Sequence, residues 1–261
     1  MTGKQTPMTG KQAPTPVLPE VAFSDFNGVR YLHLGSEWVQ GSMWLERPLD
    51  IHLEYVQRMM AGLLFLDSEG LNKRHAMQLG LGSGALTKFC RRVLRMPTTA
   101  IEINPAVYQA CRTWFKLPAQ DSRLNVVLAD AQGEICKPHW QGVVDLLHVD
   151  LYDHEAACPV LDSQAFYADC RNLLSEDGNM TVNLFGRRAS FDESLRRIGA
   201  VFGTRNLWTF KPTREGNQVV LAQRQLQRPA RGELLRRADE IEADSKLPAR
   251  KWLRSFQSLH A

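Results

Sequence analysis

The chain has 261 residues, 44% of them hydrophobic and 23% charged. That is ordinary globular composition, and it excludes disordered, collagen-like and repeat architectures. The net charge of +4 is carried by the end of the chain, where Arg224 onward holds nine Lys/Arg against five Asp/Glu. A near-neutral body with a basic tail argues against nucleic acid as a partner. No apolar run approaches the about 20 residues of a membrane helix, and the polar N-terminus has no secretory h-region, so neither membrane nor export is expected. Cys90, Cys111, Cys136, Cys158 and Cys170 are odd in number and contain no C-x-x-C pair. That pattern excludes a zinc site or disulfide framework and fits reduced, mostly packed cysteines in a cytoplasmic protein.

Residues 1–19 are rich in Pro, Thr and Gln, repeat MTGKQ at Met1 and Met8, and are expected to be disordered. Residues 20–48 read as a small antiparallel β unit, with strands in VAFSDF, VRYLHLG and SEWVQGSMWL and a turn at Asn27-Gly28. An amphipathic helix is expected from Leu49 to Leu66. Strand and helix then alternate. The strands are HAMQLGL, TTAIEI, LNVVLA, VVDLLHV and NMTVNLF, and the helices are Ala85–Arg95, Pro105–Phe115, Gly133–Trp140 and Ser163–Leu174. Gly178 is placed just beyond the end of the last of these.

This alternation defines an α/β fold, a Rossmann-like doubly wound sheet, over residues 49–225. A helix near Phe191–Phe202 precedes strands NLWTF and QVVLAQ, joined by a turn at Glu215-Gly216-Asn217. A hairpin closing such a sheet resembles the reversed last strand of the class I methyltransferase type. Residues 226–261 form a basic tail of one or two amphipathic helices, interrupted near Pro248 and expected to pack on the body.

The stretch MQLGLGSGALTKF runs from an apolar strand through Gly80, Gly82, Ser83 and Gly84 into a helix. Glycines here permit a tight turn and a close ligand approach. Glu102 ends the next strand, where a carboxylate can take ribose hydroxyls, so an adenosine-type cofactor is expected. The G-x-G-x-x-A pattern of dinucleotide sites is also satisfied. The third strand ends at Asp130-Ala131, suited to an adenine amino group. The fourth ends at Asp150-Leu151-Tyr152-Asp153. Four acids at the carboxyl edge of one sheet suit a cationic substrate, such as a sulfonium or an amine. His148 reads as a hydrogen-bonded core histidine, and Trp114, Trp140 and Phe115 read as core.

Across about Ser36 to Gln223 these motifs resemble the spermidine synthase family of polyamine aminopropyltransferases. LGLGSGA resembles its glycine loop, Glu102 in IEINPAV its ribose-binding acid, and Ala129-Asp130-Ala131 its adenine motif. Asp150-Leu-Tyr-Asp153 resembles its catalytic D-x-x-D, and Gln40, Glu46-Arg47 and Tyr55 its upstream pattern. The resemblance implies decarboxylated S-adenosylmethionine as co-substrate, no metal, a small-molecule amine such as putrescine as acceptor, and a homodimer among its assemblies. Asp150 would take the amine proton, Asp153 would attract the amine, and Tyr55, Tyr152 and Gln40 would position it. Gly80, Gly82, Ser83, Gly84, Glu102, Asp130 and Ala131 would hold the co-substrate.

Three departures stand out. Ser83 replaces the loop's usual acid, Asp150-Leu-Tyr-Asp-His154 lacks the usual serines and proline, and the gatekeeping segment is shortened to EAACPV. A methyltransferase using intact S-adenosylmethionine and a non-catalytic nucleoside binder therefore stay open as alternatives.

Overall fold

The computed structural model describes residues 18–152, 159–185 and 188–259. Asp153 and Cys158 lie outside them, as do residues 1–17 of the segment read as disordered.

Strands β1 (Val21–Phe26), β2 (Val29–Leu34) and β3 (Val39–Trp44) form a separate antiparallel sheet in sequence order. Asn27 and Gly28 both take positive φ, as a two-residue hairpin turn requires. Helix α1 (Glu54–Met59) follows and tightens into a 3-10 turn, Met60–Phe65. The expected helix over Leu49–Leu66 is thus shorter and changes type. The tightening seats the turn on the main sheet, where Thr181 Oγ1 donates to the Met59 carbonyl and Asn179 Nδ2 to that of Gly62.

The main sheet is built from β4 (Ala76–Leu79), β5 (Thr98–Glu102), β6 (Leu124–Leu128) and β7 (Val144–Val149). The helices between them are α2 (Ala85–Lys88), continued by a π turn over Phe89–Val93, α3 (Pro105–Thr113) and α4 (Ala131–Glu134). These strands are short, and β4, β5 and β7 are almost wholly buried, which suits parallel strands covered on both faces. Helix α5 (Gln164–Leu173), β8 (Leu174–Leu184), α6 (Arg188–Phe202), β9 (Leu207–Phe210) and β10 (Gln218–Gln223) complete the fold. The chain then forms α7 (Arg231–Ser245), α8 (Ala249–Trp252) and β11 (Phe256–Ser258).

The eight strands lie in the order β11-β9-β10-β8-β7-β4-β5-β6. β4, β5, β6, β7 and β8 run parallel, and β10, β9 and β11 are antiparallel additions. The chain leaves β4 toward β6 and returns on the other side to β7. A crevice must therefore open beyond the carboxyl ends of β4 and β7.

Several expectations shift. The helix expected over Gly133–Trp140 breaks after Glu134, because Pro138 holds Lys137 in extended backbone and a 3-10 turn starts at Pro138. Helix α5 stops at Leu173 and Gly178 lies within β8, where a register shift sets it against Val144. Trp114 is 46% exposed and packs on Phe23, whereas Phe115 is fully buried. The tail packs on the body as expected, with Arg237 donating to the Leu64 carbonyl and pairing with Glu233. Its last residues add β11, a strand the pattern did not announce.

Two buried polar groups pin this frame. His148 Nδ1 lies 2.9 Å from Thr181 Oγ1, and burial drives its pKa down to about 3, so the ring is a neutral core histidine. Lys88 Nζ donates to the Phe115 carbonyl at 2.7 Å, closing the end of α3, and burial lowers its pKa to about 8.

Candidate active site

The crevice at the switch point is a cavity of about 890 Å³. Its walls are the ends of β4, β5, β6 and β7, the loop before β3, the start of α1 and the β9–β10 turn.

Gly80 takes φ +84°, and a Cβ there would sit 2.2 Å from the Asp150 carbonyl oxygen. No other residue satisfies both the dihedral and the approach. The loop that opens the cavity is thereby tied to the strand end that supplies its acid. Gly82 also lines the cavity.

Ser83 does not. It is buried, and its hydroxyl donates to the Ser42 carbonyl of β3 at 3.0 Å. A Cβ on Gly41 would lie 2.7 Å from the Ser83 nitrogen, so β3 and the glycine loop dock backbone to backbone. Gly84 caps α2 and is likewise absent from the cavity wall.

Glu102 ends β5 and is 8% exposed. The N–H groups of Leu81 and Asn104 reach its two oxygens at 2.9 and 2.8 Å. Burial still raises its pKa, with the backbone donors pulling the other way. The carboxylate is fixed in place with lone pairs left for hydroxyl donors. Asp130 caps α4 through the Gln132 N–H at 3.1 Å, and both Asp130 and Ala131 face the cavity. Leu18 and Pro19, assigned to the N-terminal segment by sequence, also line it, and the Pro19 carbonyl accepts from Asn104 Nδ2.

Asp150, at the end of β7, lines the same cavity. Tyr55 Oη donates to its Oδ2 at 3.3 Å and Asn183 Nδ2 to its Oδ1 at 2.9 Å. Asn217 Nδ2 in turn holds Asn183 Oδ1 at 3.1 Å. Burial pushes the Asp150 carboxyl above its ordinary pKa, against the pull of those two donors, and raises Tyr55 well above its own. Tyr152 lines the same wall. Its hydroxyl donates to the Asn183 carbonyl at 2.9 Å and accepts from the Phe185 N–H at 2.6 Å, so it braces the end of β8. Gln40 also lines the cavity, as does Trp38, whose ring meets Phe185 edge-on at 6.3 Å.

Of the residues singled out by sequence, the fold brings together Gln40, Tyr55, Gly80, Gly82, Glu102, Asp130, Ala131, Asp150 and Tyr152. Sequence reading missed Asn183 and Asn217. Asn183 ends an apolar strand, which was the available signal. Asn217 lies in a turn, where asparagine is expected on local grounds.

A doubly wound sheet with a reversed terminal hairpin, a fixed acid after β5 and a half-buried, hydrogen-bonded acid after β7 defines a Rossmann-like transferase of the class I methyltransferase type. No family model matches the chain. A polyamine aminopropyltransferase of Chromobacterium violaceum is 34% identical over 227 residues, 86% of this chain and 84% of that protein. The chain belongs to the polyamine aminopropyltransferase family and is a transferase that moves an aminopropyl group. Two solved structures share the fold. Human methyltransferase-like protein 13 in complex with SAH superposes with a TM-score of 0.67 at 25% identity, over 75% of this chain and 93% of that one. A spermidine synthase in complex with the transition state analogue AdoDATO superposes at 0.68 and 14% identity, over 93% and 84%.

Proposed function

We propose that this chain transfers the aminopropyl group of decarboxylated S-adenosylmethionine to a polyamine such as putrescine, with Asp150 as the group that takes the amine proton. The observation that carries the reading is Asp150 itself: a half-buried carboxylate held from both sides by Tyr55 and Asn183 and facing the cavity. An alkylamine has a pKa of roughly 10 and arrives as an ammonium. A carboxylate whose affinity for protons is raised by burial is a better base than a solvated one. As the proton moves to Asp150, the nitrogen lone pair attacks the carbon beside the sulfonium. The C–N bond forms, and the C–S bond breaks with its electrons staying on sulfur. A neutral thioether, methylthioadenosine, leaves. Glu102 would take the ribose hydroxyls and Asp130 the adenine amino group, while Tyr55, Gln40 and Tyr152 would line the path of the amine. Asp153 would attract that amine.

We place the activity in the cytoplasm on the free thiols of Cys90, Cys111, Cys136 and Cys170. Among the described residues no helix is long and apolar enough to cross a membrane. A homodimer is our expected assembly, with no nucleic acid needed for transfer.

One observation favours a second reading. Ser83 is turned into β3, so the glycine loop offers no carboxylate to an ammonium, which suits intact S-adenosylmethionine and methyl transfer.

Calorimetry with both forms of the co-substrate, followed by mass spectrometry of products with putrescine and spermidine, separates the two. Tighter binding of the decarboxylated form and a product heavier by one aminopropyl group are expected. A methylated product from the intact form would replace the proposal.

A further inference from the structure

The amino edge of the main sheet carries a second cavity, of about 340 Å³, lined by Asn72, Arg91, Arg92, Arg95 and Arg123. These residues come from three separate places. Asn72 lies in the 3-10 turn before β4, Arg91 and Arg92 in the π turn after α2, Arg95 in the loop before β5, and Arg123 immediately before β6. All three loops feed the starts of parallel strands, so the cavity is at the opposite edge from the active site.

The arginines are arranged rather than merely adjacent. Arg123 donates through one terminal nitrogen to the carbonyls of both Asn72 and Arg95, tying two loops together, while its Nε and other terminal nitrogen make no hydrogen bond among the described residues. Arg95 takes φ +59°, a left-handed conformation that arginine rarely adopts, and this turns its carbonyl toward Arg123. Arg91 pairs with Asp121 at 2.6 Å. The guanidinium groups of Arg92 and Arg95 make no hydrogen bond or ion pair among the described residues, and both residues are exposed. A helix end attracts cations, and that accounts for Arg91 and Arg92. It does not account for Arg123, which arrives from another loop.

We propose that this cavity binds a small polyphosphate-bearing anion, either a nucleoside triphosphate or an inorganic polyphosphate. Four guanidinium groups meet one carboxylate here, an excess of positive charge that a multiply charged anion neutralises. A guanidinium fork matches phosphoryl oxygens bidentately, and each phosphoryl group of a polyphosphate brings about one negative charge, the terminal group more. The volume is at the lower end of the roughly 300–1,000 Å³ of small-molecule sites. The basic surface is a pocket, whereas a nucleic-acid strand needs an extended stripe.

The test is calorimetric titration of the full chain with sodium tripolyphosphate, with ATP, citrate and a short single-stranded oligonucleotide as separate arms. The comparison protein carries Arg92→Gln and Arg95→Asn. Asparagine tolerates the left-handed backbone, and both side chains are exposed, so the variant keeps the fold. Saturable binding of tripolyphosphate that weakens at least tenfold in the variant, with aminopropyl transfer unchanged, supports the site. Competition by ATP assigns the ligand to nucleotides, and its failure assigns it to inorganic polyphosphate. Equal binding by both proteins, citrate as tight as tripolyphosphate, or binding of the oligonucleotide alone would each overturn the proposal. A variant that unfolds is replaced by Arg92→Gln alone, read in the same way.

Discussion

The two edges of the main sheet carry opposite charge and handle it differently. At the carboxyl edge, Glu102 and Asp150 are enclosed by backbone and side-chain donors, and burial raises the pKa of both. At the amino edge, Arg92 and Arg95 are exposed and keep their charges in water. The contrast teaches how one sheet serves two purposes. Buried carboxylates respond strongly to protons and little to salt, as an acid–base centre needs. Exposed guanidinium groups respond to salt and not to protons.

The largest break in that contrast is Asp150→Asn. Transfer should fall by roughly 10²- to 10⁴-fold, the usual weight of a proton-transferring group, while nucleoside affinity stays near that of the parent. The folded chain holds the Asp150 proton more tightly than the unfolded chain does. Asp150 therefore opposes folding once pH rises above its raised pKa, and the variant should melt no lower than the parent at pH 8. A fall in melting temperature would show that the charge is compensated after all.

Asn183→Leu comes next. It removes one hydrogen bond to a charged group, an effect of about 1.5–3 kcal/mol, and should slow transfer by roughly tenfold or more. It should also raise the pH of the acidic limb of the rate profile, because the donor that favours the carboxylate is gone. An unmoved limb would remove Asp150 as its source. In the parent, that limb should already lie above the range of an ordinary aspartate, with activity lost as pH falls through it.

Gly80→Ala couples the loop to the acid. The added Cβ would meet the Asp150 carbonyl in a left-handed backbone, at a cost on the order of 1–3 kcal/mol, readable by chemical denaturation.

An effect confined to acid pH, and absent at neutral pH, sharpens the contrast from between the edges. His148 stays neutral down to about pH 3 in the folded chain, while in the unfolded chain it takes a proton below about 6.5. Stability should fall as pH drops from about 6.5 toward 3, and His148→Gln should flatten part of that slope.

Much of the active edge was legible because strand ends and glycine turns are local features. Gly80, Glu102, Asp130 and Asp150 each follow a short apolar run, and an open α/β sheet puts such positions at one edge. Ser83 was misplaced because nothing local says that β3 docks on the glycine loop and takes its hydroxyl. Asn183 was missed for the same reason. Its partner Asp150 lies 33 positions away, and Tyr55 meets Asp150 across 95. Arg91, Arg92 and Arg95 are a local basic run, but the pocket they form with Arg123, 28 positions beyond Arg95, was not legible, and charge counting pointed to the tail. There Arg236, Arg237 and Arg250 are paired with Glu240, Glu233 and Asp239.

By itself the sequence determined the α/β class, the order of strands and helices, the glycine turn and the acids at strand ends. Each of those rests on the period of apolar residues or on the dihedral needs of a few positions. Tertiary structure alone decided which side chains meet. It selected Asn183 and Tyr55 to hold Asp150, turned Ser83 away from the cavity, and brought Arg123 from a second loop to the arginines of the α2–β5 connection in one pocket. Such meetings depend on how the crossovers bring distant segments together, and no local period records that.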